Sequence, residues 1–404
     1  MSEMNHNEIV DYRAALTQVF AYAKTKEYVG YSKFDALNSP MLNTLSFGLN
    51  PLKWAYAQAV YRFPINIRPL LGVRQGVNPK AVGLFALGYL LAARVDSEHN
   101  NAHIREARRL LDWLEANKAQ GYHGMSCGYN YVWPNLRFTA PANFPNLVVT
   151  GNVIIAFLTA YEQLGDKRYL DAARSSVDFI LQDLNTLVDT PTERAISYVP
   201  NSNWIVINNQ GLAAVIMAWV AKYTSEDDLR QLAKRHIQFV VNQQTEYGAW
   251  YYAYPPESSP VVHDNYHTGN VLDWLLLYSL FTGDESHMDV YRRGLEFYRD
   301  NLFTADGGPK HRHNVHYPQD IHSAAQGGVT FSHAAIHFDP AYLIHAKRSL
   351  DWALQYMRAP DGGFYYHKGR FITNKTRLMH WNEALMSVGL GYFLLASQTL
   401  KTGE

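Results

Sequence analysis

VVTGNVIIAFLTAYEQLGDKRYLDAARSSVDFILQDL, residues 148–184, holds two helices of different character on either side of one Gly-Asp turn. The first is apolar nearly all round, as expected of a helix buried on every side. The second carries a stripe of Leu170, Ala173, Val177, Ile180 and Leu181 with Asp171, Arg174 and Asp178 turned outward, the spacing of a half-buried helix. A small residue, Gly151, opens the buried helix, and the same plan recurs along the chain. The equivalent positions are Gly83 in AVGLFALGYLL, Gly211 in NNQGLAAVIMAWV, Gly269 in YHTGNVLDWLLLY, Ala324 in HSAAQGGVTF and Ala384 in WNEALMSVGLGYFLL, at spacings of 68, 60, 58, 55 and 60 residues. Half-polar partners follow at residues 226–243 and 287–301 and in DPAYLIHAKRSLDWALQYM, whose stripe is Leu343, Ala346, Leu350, Ala353 and Met357. The segment NEIVDYRAALTQVFAYAK, with Ile9, Leu16, Val19 and Phe20, supplies the remaining outer helix.

Six buried and six half-buried helices predict an all-α fold, an (α/α)6 toroid with an inner and an outer ring, spanning residues 1–404 as one domain. An open solenoid of stacked helix pairs is the alternative. Closure is favoured because the first outer helix is needed to pair with the last inner one. The turns DGGP at Asp306 and DGGF at Asp361 repeat 55 residues apart, close to the helix spacing. The aromatic runs WYYAY (250–254) and FYY (364–366) predict short β-hairpins on one rim.

Composition narrows the class. The 404 residues hold 36 basic and 36 acidic side chains, so the formal charge is zero, and 47 % are hydrophobic. That much apolar content excludes a disordered chain, and the balanced charge argues against nucleic acid, whose phosphates need a net basic surface. Cys127 is the only cysteine, so no intramolecular disulfide and no four-thiolate zinc site can form. No uncharged apolar stretch reaches the roughly 20 residues of a membrane span. The opening MSEMNHNEIVDYR lacks an apolar core and carries early acids, which predicts no secretory leader and a cytoplasmic location. There are 28 Tyr, 18 Phe and 9 Trp beside 17 His. Aromatic faces with polar tips suit the C–H faces and hydroxyls of sugars, although a thick aromatic core needs them too.

The loops entering the inner helices collect the polar and aromatic residues. CGYNYVWPN brings Tyr129, Tyr131 and Trp133; ISYVP and INNQ bring Tyr198, Asn208 and Asn209; Trp250 lies in WYYAY; and HDNYHTG brings His263, Asp264, Tyr266 and His267. KHRHNVHYPQDIHSAAQ adds His311, His313, His316, Tyr317, Asp320, His322 and Gln326, and GRFITNKTRLMHWNEAL adds Arg370, Lys375, Arg377, His380, Trp381 and Glu383. A closed ring would crowd these around one mouth, where helix N-termini favour an anion. HRHNVH lacks the i, i+4 spacing that puts two ligands on one helix face, so a substrate-facing histidine cluster is expected rather than a metal. Tyr266-His267 can form a proton-transfer pair or pack and cap a helix, and Glu383 can act as a base or serve the helix dipole. Cys127 has nothing beside it to activate its thiol. With no phosphate loop, nucleophile elbow or nucleotide fingerprint, neither cofactor nor metal is expected.

DNYHTGNVLDWL (264–275), YPQDIHSAAQ (317–326) and GRFITNKTRLMHWNEAL (369–385) resemble a bacterial family of (α/α) toroid proteins associated with exopolysaccharide biosynthesis and related to the glucuronyl C5-epimerase C-terminal domain. More loosely, the resemblance spans residues 75–400. It implies a carbohydrate partner, a uronic-acid-containing oligo- or polysaccharide, and through the Tyr-His-Thr element it implies a catalytic role for Tyr266. Removing a C5 proton beside a carboxylate needs a base on one face, an acid on the other and a cation or donor for the enolate. Tyr266 and His322 are the acid/base candidates, with His267, His380 and Glu383 behind them, and Asn208, Lys375 and Arg377 are candidate carboxylate clamps. Loss of a 4-substituent would make the same apparatus a lyase. An aldose or acylamino-sugar 2-epimerase using His322 and His380, a hydrolase using Asp264 and Glu383, and a non-catalytic glycan-binding scaffold are the alternatives.

Overall fold

The computed structural model describes residues 6–134 and 139–402, with side chains described from Tyr12 onward. Among these residues the helices are α1 (His6–Thr25), α2 (Pro40–Leu45), α3 (Asn50–Arg62), α4 (Pro79–Val95), α5 (Asn100–Ala116), α6 (Leu147–Leu164), α7 (Lys167–Asp178), α8 (Ile207–Thr224), α9 (Asp227–Asn242), α10 (Asn265–Thr282), α11 (Met288–Asn301), α12 (Ile321–His337), α13 (Leu343–Tyr356) and α14 (Ala384–Thr402). The inner ring runs α4, α6, α8, α10, α12, α14, and α14 packs back on α4, so the ring is closed. The first outer helix, α1, packs on α14. This is the (α/α)6 toroid expected from the repeat.

The repeat of small residues has a packing cause. A Cβ added at Gly83 would lie 3.1 Å from the Cα of Val153, one at Gly151 would lie 2.4 Å from Leu212, one at Gly211 would lie 2.9 Å from Trp274, and one at Gly269 would lie 2.7 Å from Gln326. At each step the missing side chain is the space that the next inner helix fills. Gly389 of α14 abuts the Ala325 carbonyl in the same way, at 2.8 Å. Close-packed interiors leave no slack at such contacts.

The outer helices follow their stripes. Leu170, Ala173, Val177 and Ile180 are buried, as are Ala346, Leu350, Ala353 and Met357, and Leu16, Val19 and Phe20 of α1. Ile9 lies outside the described side chains. The 18 residues of α6 are long and apolar enough to cross a membrane, but 67 % of them are buried within the inner ring.

The rim carries brief antiparallel pairs. Ile205–Val206 pairs with Ala253–Tyr254, and His367–Lys368 lies between Gln319–Asp320 and Thr373–Asn374. The FYY run itself is not a strand; the hairpin begins just after it, at His367. One element has no counterpart in the repeat. Val29–Gly30 pairs with Gly76–Val77, and the chain between them makes an excursion that contains α2 and α3. We call residues 31–75 the cap. Its small core is Ala36, Leu42 and Val60, and the buried Arg68–Asp35 ion pair at 2.7 Å ties its two ends together.

Candidate functional site

Residues from the four segments that lead into α6, α8, α10 and α14 meet in a closed circuit of aromatic rings at the N-terminal ends of the inner helices. Starting from Tyr129, centroid distances run 5.8 Å to Trp133, 5.2 Å to Tyr198, 5.7 Å to Trp204, 5.6 Å to Tyr252 and 4.2 Å to His267. They continue 4.1 Å to Tyr266, 5.4 Å to Trp381, 5.8 Å to His380 and 6.2 Å back to Tyr129. Tyr131 stacks on Tyr129 at 5.1 Å. The cap covers this mouth. Lys33 Nζ stands 3.5 Å from the centre of the Trp381 ring, 5.0 Å from that of Tyr61 and 5.6 Å from that of Tyr266. Tyr61 leans on Tyr366 and His367, and the Asn374 side-chain amide donates to the Phe63 carbonyl at 2.9 Å. Tyr61, Tyr266 and His267 remain partly exposed, so the covered mouth still reaches solvent.

His322 is held between two rings. It stacks on Tyr266 at 4.3 Å and 18°, and it meets Trp381 edge-on at 4.1 Å and 84°. Asp320 fixes the geometry. It caps α12 by accepting the His322 N–H at 2.9 Å, and it accepts from Trp381 Nε1 at 2.9 Å and bonds His367 Nε2 at 3.0 Å. Although burial opposes it, His367, Lys33 and His322 bring the Asp320 carboxyl well below the usual carboxylate range. Asp264 does the same service for His267, whose Nδ1 lies 2.6 Å from its Oδ2.

The charge at the mouth is cationic. Lys80, in the first turn of α4, is buried, and burial together with the Lys33 ammonium lowers its pKa to about 8. No carboxylate among the described residues forms an ion pair with Lys33 or Lys80. Burial first, then Lys80 and Lys33, push both His322 and His380 well below the ordinary imidazole value, so both are neutral at physiological pH. Their Nδ1 atoms have no hydrogen-bond partner among the described residues, and neither has Asn208 Oδ1 at the start of α8. Neutral imidazoles beside unpaired ammonium groups can accept a proton from a substrate whose developing negative charge the lysines hold.

Beside the mouth lies a cleft of about 540 Å³ lined by Asn38, Arg74, Asn117, Asn130, Asn143 and Trp113 among others. Asn143 of the cleft donates its N–H to the Tyr129 carbonyl at 2.6 Å, so cleft and circuit adjoin.

The sequence-predicted residues therefore divide. Tyr129, Tyr131, Tyr198, Asn208, Asp264, Tyr266, His267, Asp320, His322, His380 and Trp381 gather at the mouth. Glu383 does not: it is buried against Arg377 Nε at 2.8 Å and accepts the Phe364 N–H at 3.0 Å. Burial raises its carboxyl, with Arg377 opposing. Arg377 in turn pairs with Asp361 at 2.6 Å and lies over Tyr22 of α1, so it holds the wall together and cannot clamp a substrate at the mouth. Trp250 belongs to the outer packing, donating to the Val240 carbonyl at 2.9 Å, and His263 bonds the Trp250 carbonyl and Tyr247. Gln326 lies deeper, donating to Asp273 at 2.5 Å. Arg370 and Lys375 are exposed on the rim over Phe371 and Tyr365, and Tyr317 stacks on His316. The HRHNVH histidines scatter: His313 packs near His263 at 5.2 Å, while His316 faces Tyr317.

Sequence reasoning missed Lys33, Tyr61, Lys80, Trp204 and Tyr252. It also misjudged one relation. Tyr266 and His322 stack face to face with their centres 4.3 Å apart, which leaves no room for a sugar between them. They stand on one side of any substrate, whereas His322 and His380 are each in contact with Trp381, at 4.1 Å and 5.8 Å between ring centres.

No protein-family model matches the chain, and no curated protein matches it in sequence. Solved structures match it in fold. Cellobiose 2-epimerase from Bacillus thermoamylovorans superposes with a TM-score of 0.65 at 12 % identity, covering 96 % of this chain and 99 % of that one. A family 76 glycoside hydrolase (mannosidase) from Bacteroides thetaiotaomicron gives 0.64 at 13 %, covering 98 % and 100 %. An unsaturated glucuronyl hydrolase specific for heparin gives 0.63 at 14 %, covering 98 % and 97 %. At these identities the likeness establishes the toroid fold.

Proposed function

We propose that this protein is a carbohydrate-active enzyme that moves a carbon-bound proton of an acidic sugar, in the manner of a uronate C5-epimerase. One observation carries the reading: two buried or ring-covered ammonium groups, Lys33 and Lys80, form no ion pair with a carboxylate among the described residues and bear on two neutral imidazoles. Aromatic faces take the C–H surface of the sugar, and the lysines take its carboxylate. His322 removes the C5 proton, the electron pair moves onto the carboxylate as an enolate, and Lys33 and Lys80 stabilise that charge. Reprotonation of C5 falls to the ring N–H of the neutral His380, while Lys33 and Lys80 stay charged. Exchange with solvent at the partly exposed mouth then removes the proton from His322 and returns one to His380. Tyr266 fixes the His322 ring by stacking. The amide-lined cleft takes the neighbouring sugar of the chain. Fold neighbours named for a sugar epimerase and a glucuronyl hydrolase support a sugar at this mouth.

A second reading, a 2-epimerase of free aldoses, is favoured by the same pair of imidazoles about one indole. Hydrolysis by Asp264 and Glu383 is disfavoured, because Glu383 is occupied by Arg377 away from the circuit. The test is incubation in D₂O with glucuronate- and mannuronate-containing oligosaccharides and, separately, with free aldoses, read by NMR. Deuterium at C5 of a uronate supports the first reading, and deuterium at C2 of an aldose supports the second. No exchange in either set would remove both.

A further inference from the structure

The cap and the hairpin beside it expose large apolar side chains that a water-facing surface does not need. Phe47, Leu49, Ile65, Leu70, Phe371 and Ile372 are each between 56 % and 88 % exposed. They come from three separate places in the chain that the fold joins. Tyr56 of α3 donates to the Leu45 carbonyl, Ser39 at the start of α2 donates to the Leu71 carbonyl, and Asn374 of the hairpin reaches the Phe63 carbonyl at the end of α3. Scattered exposed apolar residues are ordinary, but a concentration of them marks an interaction surface.

The charge of the same surface is one-sided. Asp35 is the only acid between Tyr31 and Val95, and Arg68 already neutralises it. No acid lies between Asp361 and Glu383. Lys53, Arg62, Arg74, Arg370 and Lys375 remain around the apolar tips, and the last four of these are exposed. Phenylalanine, leucine and isoleucine tips within a basic, acid-free border match the boundary of an anionic bilayer, where apolar side chains enter between headgroups and cations meet lipid phosphates. A second copy of this chain fits poorly, because a two-fold contact would set each basic border against its own equivalent.

We infer that the cap and the 367–374 hairpin form a docking surface for an anionic membrane, which turns the covered mouth toward the lipid. The inference does not depend on the reaction performed at the mouth. It is tested by co-sedimentation of the full chain with vesicles of phosphatidylcholine alone and of phosphatidylcholine containing about one third phosphatidylglycerol. The protein should pellet with the anionic vesicles, weakly or not at all with the neutral ones, and progressively less as salt rises from about 50 mM to about 500 mM. Phe371→Ser with Leu70→Ser should reduce binding strongly while far-UV circular dichroism stays unchanged. Arg370→Gln and Lys375→Gln should each weaken it about fivefold. Failure to pellet with anionic vesicles, or pelleting that ignores both salt and these substitutions, overturns the inference. So does a dimer abolished by Phe371→Ser in a protein that leaves vesicles untouched, which would assign the surface to a second copy.

Discussion

Replacing Lys80 with methionine should make the protein more stable at neutral pH while removing the proposed proton exchange. Lys80 is 6 % exposed, and burial with the Lys33 ammonium brings its pKa to about 8, against about 10.4 in an unfolded chain. Between those values the unfolded chain holds more protons than the folded one, so stability rises with pH across the window. Below about pH 8 the folded state bears the whole cost of the buried charge. At about 1.36 kcal/mol per unit that cost is about 3 kcal/mol. Methionine keeps the length and apolar stem without the charge, so Lys80→Met should gain up to about 3 kcal/mol near pH 7 and progressively less toward pH 10. Urea unfolding of both proteins, followed by circular dichroism across that range, measures the difference directly, and the many tyrosines cancel in the comparison. A variant less stable than the parent near neutral pH, or a difference that does not shrink as pH rises, would show that the ammonium has a stabilising partner, and the reasoning would fail.

His322→Asn and His380→Asn should each lower deuterium incorporation by about 10²–10⁴-fold with the fold retained, checked by NMR exchange and circular dichroism. Asp320→Asn should cost about 3–5 kcal/mol, because the carboxylate holds His367, Trp381 and the His322 N–H at once. The charge of Asp320 contributes stability above the unfolded carboxylate value, and the parent loses it as pH falls below about 4; acid titration of the variant should lack that loss. Gly389→Ala places a Cβ 2.8 Å from the Ala325 carbonyl oxygen and 3.2 Å from its Cα, backbone atoms that cannot swing aside. It should lower stability by about 1–3 kcal/mol in thermal unfolding.

What the sequence made legible follows from period and volume. The small residues recur because each inner helix must admit the next, so Gly151 meeting Leu212 and Gly211 meeting Trp274 leave a trace that repeats near sixty residues. The cap left no such trace. α2 is six residues long, and the apolar residues around it, Met41, Leu45, Phe47 and Leu49, face outward, so no buried stripe marks it. The mouth was half legible. Loops rich in aromatics and histidine lead into inner helices, and those residues converge. Which of them face each other depends on ring orientation, and the stacking of Tyr266 on His322 has no sequence signature. Arg377 and Glu383 read as functional from their company, yet they satisfy each other six residues apart.

Lys80 did carry a signal, one of local conflict. Asn78 caps α4 and Pro79 opens it, which puts a lysine where the helix dipole repels cations. The other charged helix starts at the mouth are conventional, with Asp264 before α10 and Asp320 before α12, but their carboxylates are engaged by His267, His367 and Trp381. A chain with equal numbers of acids and bases thus gathers helix N-termini and two ammonium groups at one place, where Lys33 bears on the Asp320 carboxylate without an ion pair and Lys80 faces only Lys33. Local rules are broken in this way chiefly where function requires it. The counter-charge that Lys80 lacks then arrives with the ligand, and a neutral sugar cannot supply it. A uronate oligosaccharide should therefore bind at least about tenfold more tightly than its methyl ester, since about 1.4 kcal/mol corresponds to tenfold and a charge-assisted hydrogen bond contributes about that much or more. Isothermal titration of the two ligands, equal in shape and differing in charge, decides the point, and equal affinities would leave Lys33 and Lys80 without the role argued for them.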